Sequence, residues 1–125
     1  MMAAPGERHV VCRLGELRPG DSRVLSTGSR ELLVVRTGDE SFAAVPNACP
    51  HQGARLSDGR VERIWTAGDS RAHETLERYA VVCPWHNFEF DLSTGCPPYA
   101  EGTRCRPRLR RHEVLIEGDD VVLYT

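Results

Sequence analysis

Lysine is absent from this chain of 125 residues, and all sixteen of its basic side chains are arginine. We attribute this absence to GC-rich coding rather than to selection for guanidinium chemistry. With 18 acidic residues, the formal net charge is −2. A chain with this charge gives no reason to expect nucleic-acid binding.

Long apolar runs are also missing. No run approaches the roughly 20 residues that a membrane span needs. Near the amino terminus, Glu7 and Arg8 stand where a signal peptide would need an apolar core of about 7–15 residues. We therefore expect a cytoplasmic protein that does not enter a membrane.

Two catalytic signatures are absent as well. The sequence has no nucleotide-binding glycine motif, which argues against oxidation of NAD(P)H by this chain. No 2-His-1-carboxylate iron site is evident. The chain also lacks internal repeats and low-complexity tracts, and its length suits one domain. We expect a single domain over residues 1–125 that is not an enzyme by itself.

Short apolar runs bounded by Gly, Ser and Asp predict an all-β fold of eight or nine strands, a sandwich or small barrel. Residues 46–60 read as a loop punctuated by prolines and glycines, and the polar stretch 66–78 reads as an insertion. Turns are predicted at 26–29 and 37–40. The predicted strands are Val10–Arg13, Arg23–Leu25, Glu31–Arg36, Phe42–Val45, residues 61–65, Tyr79–Val82, Phe88–Leu92, and a closing hairpin of Val114–Ile116 with Val121–Leu123.

Two short segments combine a cysteine with a histidine at metal-ligand spacing. Cys49 and His51 lie in a C-P-H segment, and Cys83 and His86 lie in C-P-W-H. If the two loops face each other, they present two sulfur and two nitrogen ligands. This set suits a tetrahedral zinc ion. It also suits a two-iron cluster with cysteines on one iron and histidines on the other.

The residues around these ligands resemble the two cluster-binding boxes of the Rieske family. The first box, residues 49–56, reads CPHQGARL, and the second box, residues 83–95, reads CPWHNFEFDLSTG. The resemblance implies an antiparallel β-sandwich or barrel with a smaller cluster-binding subdomain formed by two loops. It implies one [2Fe–2S] cluster, with Cys49 and Cys83 on one iron and His51 and His86 on the other.

The resemblance also implies a function, in the branch of oxygenase ferredoxins. A Rieske ferredoxin takes one electron from a flavin reductase and passes it to a terminal oxygenase. One alternative is a small Rieske-like subunit of a larger reductase, such as nitrite reductase. Another is a zinc-bound structural or interaction module. The oligomeric state stays open.

Several positions depart from the family pattern. Asn87 stands where glycine is common, and asparagine tolerates the left-handed conformation better than most residues. The extra cysteine of the respiratory-complex branch is missing from both boxes. Phe88 and Phe90 replace the serine and tyrosine whose hydroxyls raise the potential in that branch. We therefore expect a low potential, near about −150 mV.

The remaining candidate residues receive structural interpretations. Cys12 is expected to be a core thiol, and a disulfide between Cys96 and Cys105 is not expected in a reducing cytoplasm. Trp85 either covers the cluster or packs the loop. Three histidines without a cysteine partner are expected at the surface: His9, His73 and His112. Alternating arginines form either a solvated edge or a basic docking stripe: Arg104, Arg106, Arg108 and Arg110.

Overall fold

The computed structural model describes residues 7–50, 53–64, 78–85, 87–97 and 108–124. These residues form nine strands and two short 3₁₀ helices. The strands are β1 (Arg8–Arg13), β2 (Ser22–Thr27), β3 (Arg30–Arg36), β4 (Phe42–Pro46), β5 (Arg60–Arg63), β6 (Tyr79–Val82), β7 (Glu89–Asp91), β8 (Val114–Glu117) and β9 (Asp120–Tyr124). The 3₁₀ helices are η1 (Leu14–Glu16) and η2 (Leu56–Asp58).

The strands make three antiparallel sheets of three strands each. Their orders are β1-β9-β8, β2-β3-β4 and β5-β6-β7. Two of the hairpins turn over a glycine with positive φ, Gly28 between β2 and β3 and Gly118 between β8 and β9. Glycine adopts this conformation without steric cost, so both two-residue turns are favourable. The predicted all-β antiparallel fold is confirmed, including the closing hairpin.

In the β2-β3-β4 sheet, which we call the central sheet, β3 and β4 are buried on both faces. Successive residues of a strand point to opposite sides. Leu33 and Val35 of β3 therefore enter one apolar core, and Leu32 and Val34 enter another. This double burial explains why β3 reads as an unbroken apolar run in the sequence. The central sheet thus separates two cores and contributes to both.

We call the two cores the box-side core and the distal core. The box-side core joins β3 and β4 to β6, β7 and both predicted metal-binding boxes. Its buried members are Leu33, Val35, Ala43, Val45, Cys49, Ala54, Leu56, Tyr79, Val81, Cys83, Phe90, Leu92 and Leu109. The distal core joins the other face of the central sheet to β1 and β9. Its buried members are Val11, Cys12, Leu17, Leu32, Val34, Ala44, Val121 and Leu123.

The structure extends or corrects several sequence expectations. The turn predicted at 26–29 is shorter, because β2 continues to Thr27. The two 3₁₀ helices were not predicted, since three residues are too few to show a helical period. The pairing of β1 with β9 was not predicted either. The described part of the chain contains no helix with the length and apolar character that crossing a membrane requires.

The polar stretch 66–78 lies outside the described residues except for Arg78. Arg78 is not a simple surface residue, because its guanidinium binds the buried carboxylate of Asp91. Its carbonyl oxygen also accepts a hydrogen bond of 2.7 Å from the Ile64 N–H. This bond continues the β5–β6 pairing beyond Arg63 and Tyr79. The described residues on either side of the insertion, Ile64 and Arg78, are therefore paired with each other.

Candidate metal centre

Two thiols from separate loops meet in the box-side core. Cys49 lies just beyond β4 and Cys83 directly follows β6. They are 2% and 1% exposed, respectively. Burial raises the pKa of the Cys83 thiol, its interaction with the Cys49 side chain raises it further, and the Trp85 backbone N–H opposes the rise. Because iron and zinc bind the thiolate, loading a metal here must release protons.

The two predicted histidine ligands, His51 and His86, lie outside the described residues. Within the described ranges, no three His, Cys, Asp or Glu side chains are grouped to hold a metal ion. The structure therefore brings together two of the four predicted ligands. A buried pair of thiols fits the sulfur half of either a Cys₂His₂ zinc site or a Rieske cluster.

The first box is folded by a tight turn of backbone hydrogen bonds. The Cys49 N–H donates to the Ala54 carbonyl oxygen at 2.8 Å, and the Gly53 N–H donates to the Cys49 carbonyl oxygen at 2.7 Å. Gly53 has φ +81°, a conformation that favours glycine. Ala54 and Leu56 are buried beside Cys49. The turn thus fixes the position of the Cys49 side chain.

Asn47 anchors this loop to the central sheet, a role that the sequence did not reveal. It is 5% exposed, and its Nδ2 donates to Ser57 Oγ at 2.8 Å and to Glu31 Oε1 at 3.3 Å. Its Oδ1 accepts the Ser57 N–H at 2.7 Å. The Arg55 guanidinium also binds Glu31. An asparagine beside prolines and glycines is typical of a turn, so only the fold shows that this one is buried.

The second box is closed by a backbone hydrogen bond and by one left-handed residue. The Cys83 N–H donates to the Phe88 carbonyl oxygen at 2.8 Å. Asn87 has φ +56°, which confirms that asparagine can replace glycine here. Gly59 packs so closely that a Cβ there would overlap the Val82 carbonyl oxygen and crowd Pro84. Glycine at 59 therefore allows β5 to lie against the start of the second box.

A buried carboxylate holds the turn at the end of the second box. Asp91 is fully buried, and its Oδ1 accepts the Ser93 N–H at 2.8 Å and the Ser93 hydroxyl at 2.6 Å. The Arg78 guanidinium binds its other oxygen. The Gly95 N–H donates to the Asp91 carbonyl oxygen at 2.7 Å. Asp91 thus holds the turn after β7. The sequence pattern placed Asp91 in the box without indicating its role.

The surroundings of the thiols are apolar. Phe90 is fully buried in the core that contains Cys49 and Cys83, and Phe88 packs against that core. The two rings lie 5.0 Å apart between centroids, tilted by 42°. Neither ring can donate a hydrogen bond to a cluster sulfur. This arrangement agrees with the expectation of a low potential.

Trp85 lies in the second box, and Cys96 directly follows it. Trp85 is 51% exposed, so about half of its side chain faces solvent. Cys96 is disulfide-bonded, and the expectation that it forms no disulfide is wrong. That expectation depended on the redox compartment alone. The buried Cys96 is also held by its carbonyl oxygen, which accepts the Asp91 N–H at 2.7 Å.

Comparison with known proteins decides between the two metal chemistries. The family model for the Rieske [2Fe-2S] domain matches residues 7–110. Ferredoxin CarAc of Metapseudomonas resinovorans is 33% identical over 112 residues, which cover 89% of this chain and 87% of that protein. Apoptosis-inducing factor 3 of Mus musculus is 34% identical over 113 residues, 90% of this chain. The chain spans 16% of the mouse protein and 11% of its human counterpart.

Solved structures give the same result. The chain matches a component of the complex of reduced oxygenase and oxidised ferredoxin in carbazole 1,9a-dioxygenase. The TM-score is 0.68 at 28% identity, over 94% of this chain and 92% of that one. A nitrite reductase small subunit of Mycobacterium tuberculosis, described as putative and NADH-dependent, matches with a TM-score of 0.69 at 20% identity, over 96% of both chains. The second likeness shows the fold alone.

These findings define an iron–sulfur protein. The chain belongs to the Rieske [2Fe-2S] domain family, and it carries one [2Fe–2S] cluster. The alternative of a zinc module is set aside, because the family match covers both boxes and the strands between them. The buried sulfur pair described above fits this cofactor.

Proposed function

We propose that this protein is a one-electron carrier with a low-potential Rieske cluster, and that it is not an enzyme by itself. The observation that carries the proposal is the pair of buried thiols, Cys49 and Cys83, which two separate loops bring into contact beside an exposed surface. When bound, the [2Fe–2S] cluster accepts and releases one electron. Cys49 and Cys83 would hold it on a side that is buried, and Trp85 of the second box is exposed.

We assign the ligands residue by residue. Cys49 and Cys83 hold one iron, and His51 and His86 hold the other. The family match supports this assignment, as does the meeting of the two thiols. We place the electron exit on the histidine side, next to Trp85, because an exposed aromatic ring gives a redox partner an apolar contact.

We propose that the partners are a flavin-containing reductase and a terminal oxygenase. The complex of oxygenase and ferredoxin in carbazole 1,9a-dioxygenase supports the oxygenase as a partner, because the chain matches one component of it at 28% identity. Membership of a larger reductase, such as nitrite reductase, is the second candidate, and the fold likeness to a small subunit is compatible with it. We further propose that residues 1–125 act as one domain and that the protein works in the cytoplasm.

The proposal is tested first by spectroscopy. The purified chain is reduced with dithionite, and electron paramagnetic resonance is recorded with iron and acid-labile sulfide counted on the same sample. We expect about two irons per chain and a spectrum of low average g, typical of mixed Cys/His ligation. A colourless sample with stoichiometric zinc would contradict the assignment of the cofactor.

The carrier role needs a separate assay. A ferredoxin reductase from a dioxygenase system, NADH and cytochrome c are mixed with and without the chain. We expect cytochrome c reduction that depends on the chain and saturates with it. If the loaded chain supports no transfer but co-purifies with a large reductase subunit, the second candidate replaces the first.

A further inference from the structure

A surface pocket next to the first box is lined by two arginines and a histidine. It has a volume of about 600 Å³. It lies between the start of β3, the end of β4, and the segment before β8. The residues that line it include Arg30, Glu31, Asn47, Ala48, Arg110 and His112. Ala48 directly precedes Cys49, so an occupant of this pocket would lie beside the metal centre.

The charge balance of the pocket is positive. Its single carboxylate, Glu31, already binds the Arg55 guanidinium and the Asn47 amide. Within the described part of the chain, the guanidinium groups of Arg30 and Arg110 have no acidic partner. Arg30 and Arg110 are exposed, and His112 is half-buried. Two guanidinium groups, without an acidic partner among the described residues, and an imidazole therefore line one cavity.

The backbone holds these groups in place. The His112 N–H donates to the Ala44 carbonyl oxygen at 2.7 Å, which ties the segment to β4. Leu109 is buried in the box-side core, and its neighbours Arg108 and Arg110 face outward. Burial and the positive charges of Arg110 and Arg30 lower the pKa of His112. His112 thus lies near the two guanidinium groups that line the same pocket.

We propose that this pocket receives a carboxylate side chain from an acidic segment of the redox partner and so docks that partner beside the cluster. The inference rests on the proposed carrier function. Guanidinium groups bind carboxylates through charge-assisted, often bidentate, hydrogen bonds. Such contacts direct the orientation and the rate of association. Of the predicted basic stripe, Arg110 takes this role, whereas Arg104 and Arg106 lie outside the described residues.

The test measures binding rather than electron transfer. Capped tetraglutamate and, separately, inorganic phosphate are titrated into the cluster-loaded full chain at low ionic strength by calorimetry. The variant is the double substitution R30Q/R110Q. The single substitution R18Q serves as the control, since Arg18 is exposed and does not line the pocket. Electron paramagnetic resonance on every sample shows whether the cluster is intact.

We expect the wild type and R18Q to bind tetraglutamate with similar Kd, and R30Q/R110Q to bind at least about tenfold more weakly. No binding by the wild type, or equal loss in R18Q, would overturn the docking site. Binding of phosphate but not of the peptide would also overturn it, in favour of a site for a free anion. If the wild type has a normal cluster spectrum but does not bind the peptide, this inference fails while the proposed carrier function does not.

Discussion

Phenylalanine at positions 88 and 90 supplies no hydrogen-bond donor to the cluster sulfurs. Phe90 is fully buried with the two thiols, and Phe88 lies against it. A reduced cluster carries one more negative charge, and hydrogen bonds to its sulfurs stabilise it. Rings that cannot donate such bonds leave the reduced state less stable. The residue choice at these two positions therefore favours a strong reductant.

A single hydroxyl should raise the potential. In the variant Phe90→Tyr, we expect an increase of about 40 mV, since about 1 kcal/mol of preferential bonding to the reduced state corresponds to that shift. Redox titration followed by electron paramagnetic resonance measures it. Phe42→Tyr is the matched control, because Phe42 packs on the distal core. An unchanged potential in Phe90→Tyr with an intact cluster, or a wild-type potential above about +100 mV, would contradict this account.

The three free cysteines of the described chain differ only in their surroundings, and they allow a direct test of the ligands. Cys12, Cys49 and Cys83 are all buried. We expect Cys49→Ser and Cys83→Ser to lose the cluster, leaving well under one iron per chain. Cys12→Ser should keep about two irons, because Cys12 lies in the distal core. Iron and sulfide counts with visible absorption give the answer. Full loading of Cys83→Ser would remove Cys83 from the ligand set.

At the scale of elements, the second box depends on close contact between β5 and the end of β6. Gly59 permits this contact, as no side chain fits between it and Val82. We expect Gly59→Ala to lower the free energy of unfolding by about 1–3 kcal/mol and to speed cluster loss. Gly15→Ala is the control, since a Cβ at Gly15 meets nothing within 4 Å. Thermal melts and the decay of visible absorption report both effects. Equal behaviour of the two variants would refute the steric argument.

The sequence predicted the strands well because their side-chain patterns are local. The run from Leu32 to Val35 and the alternation around Phe90 each reflect burial of that strand. The two boxes were also visible, since metal ligation requires fixed residue types at short spacing. The anchoring of the boxes was not visible. Asn47 and Asp91 act through partners such as Ser57 and Arg78, which lie 10 and 13 positions away along the chain.

The sheet order and the disulfide at Cys96 were not predicted, because no local sequence pattern specifies either feature. Pairing of β1 with β9 joins residues far apart in sequence, and no local pattern specifies it. The bonding of Cys96 depends on where the fold places its thiol. Composition indicates only the compartment. Long-range geometry therefore had to come from the structure, whereas residue chemistry came from the sequence.

On the scale of the whole molecule, the central sheet separates two cores, and only the box-side core contains the metal-binding cysteines. Val34 and Val35 are adjacent on β3, equally buried, and on opposite faces. We expect Val34→Ala and Val35→Ala to lower the free energy of unfolding by similar amounts, about 2 kcal/mol each. Only Val35→Ala should also speed cluster loss, because it alone opens a cavity in the box-side core. Denaturant melts and absorption decay measure the two effects. Equal cluster lifetimes would mean that the cores are not independent.

The antiparallel pairing of Arg8–Arg13 with Asp120–Tyr124 has a consequence for biosynthesis. A ribosome releases β1 long before β9, so β1 and the distal face of β3 wait without their partner while the rest of the chain emerges. Both metal-binding boxes lie between β1 and β9 in the sequence, so they leave the ribosome after β1 and before β9. Iron delivery can therefore begin on a nascent chain whose outer sheet is still open, and completion of β9 seals the molecule afterwards.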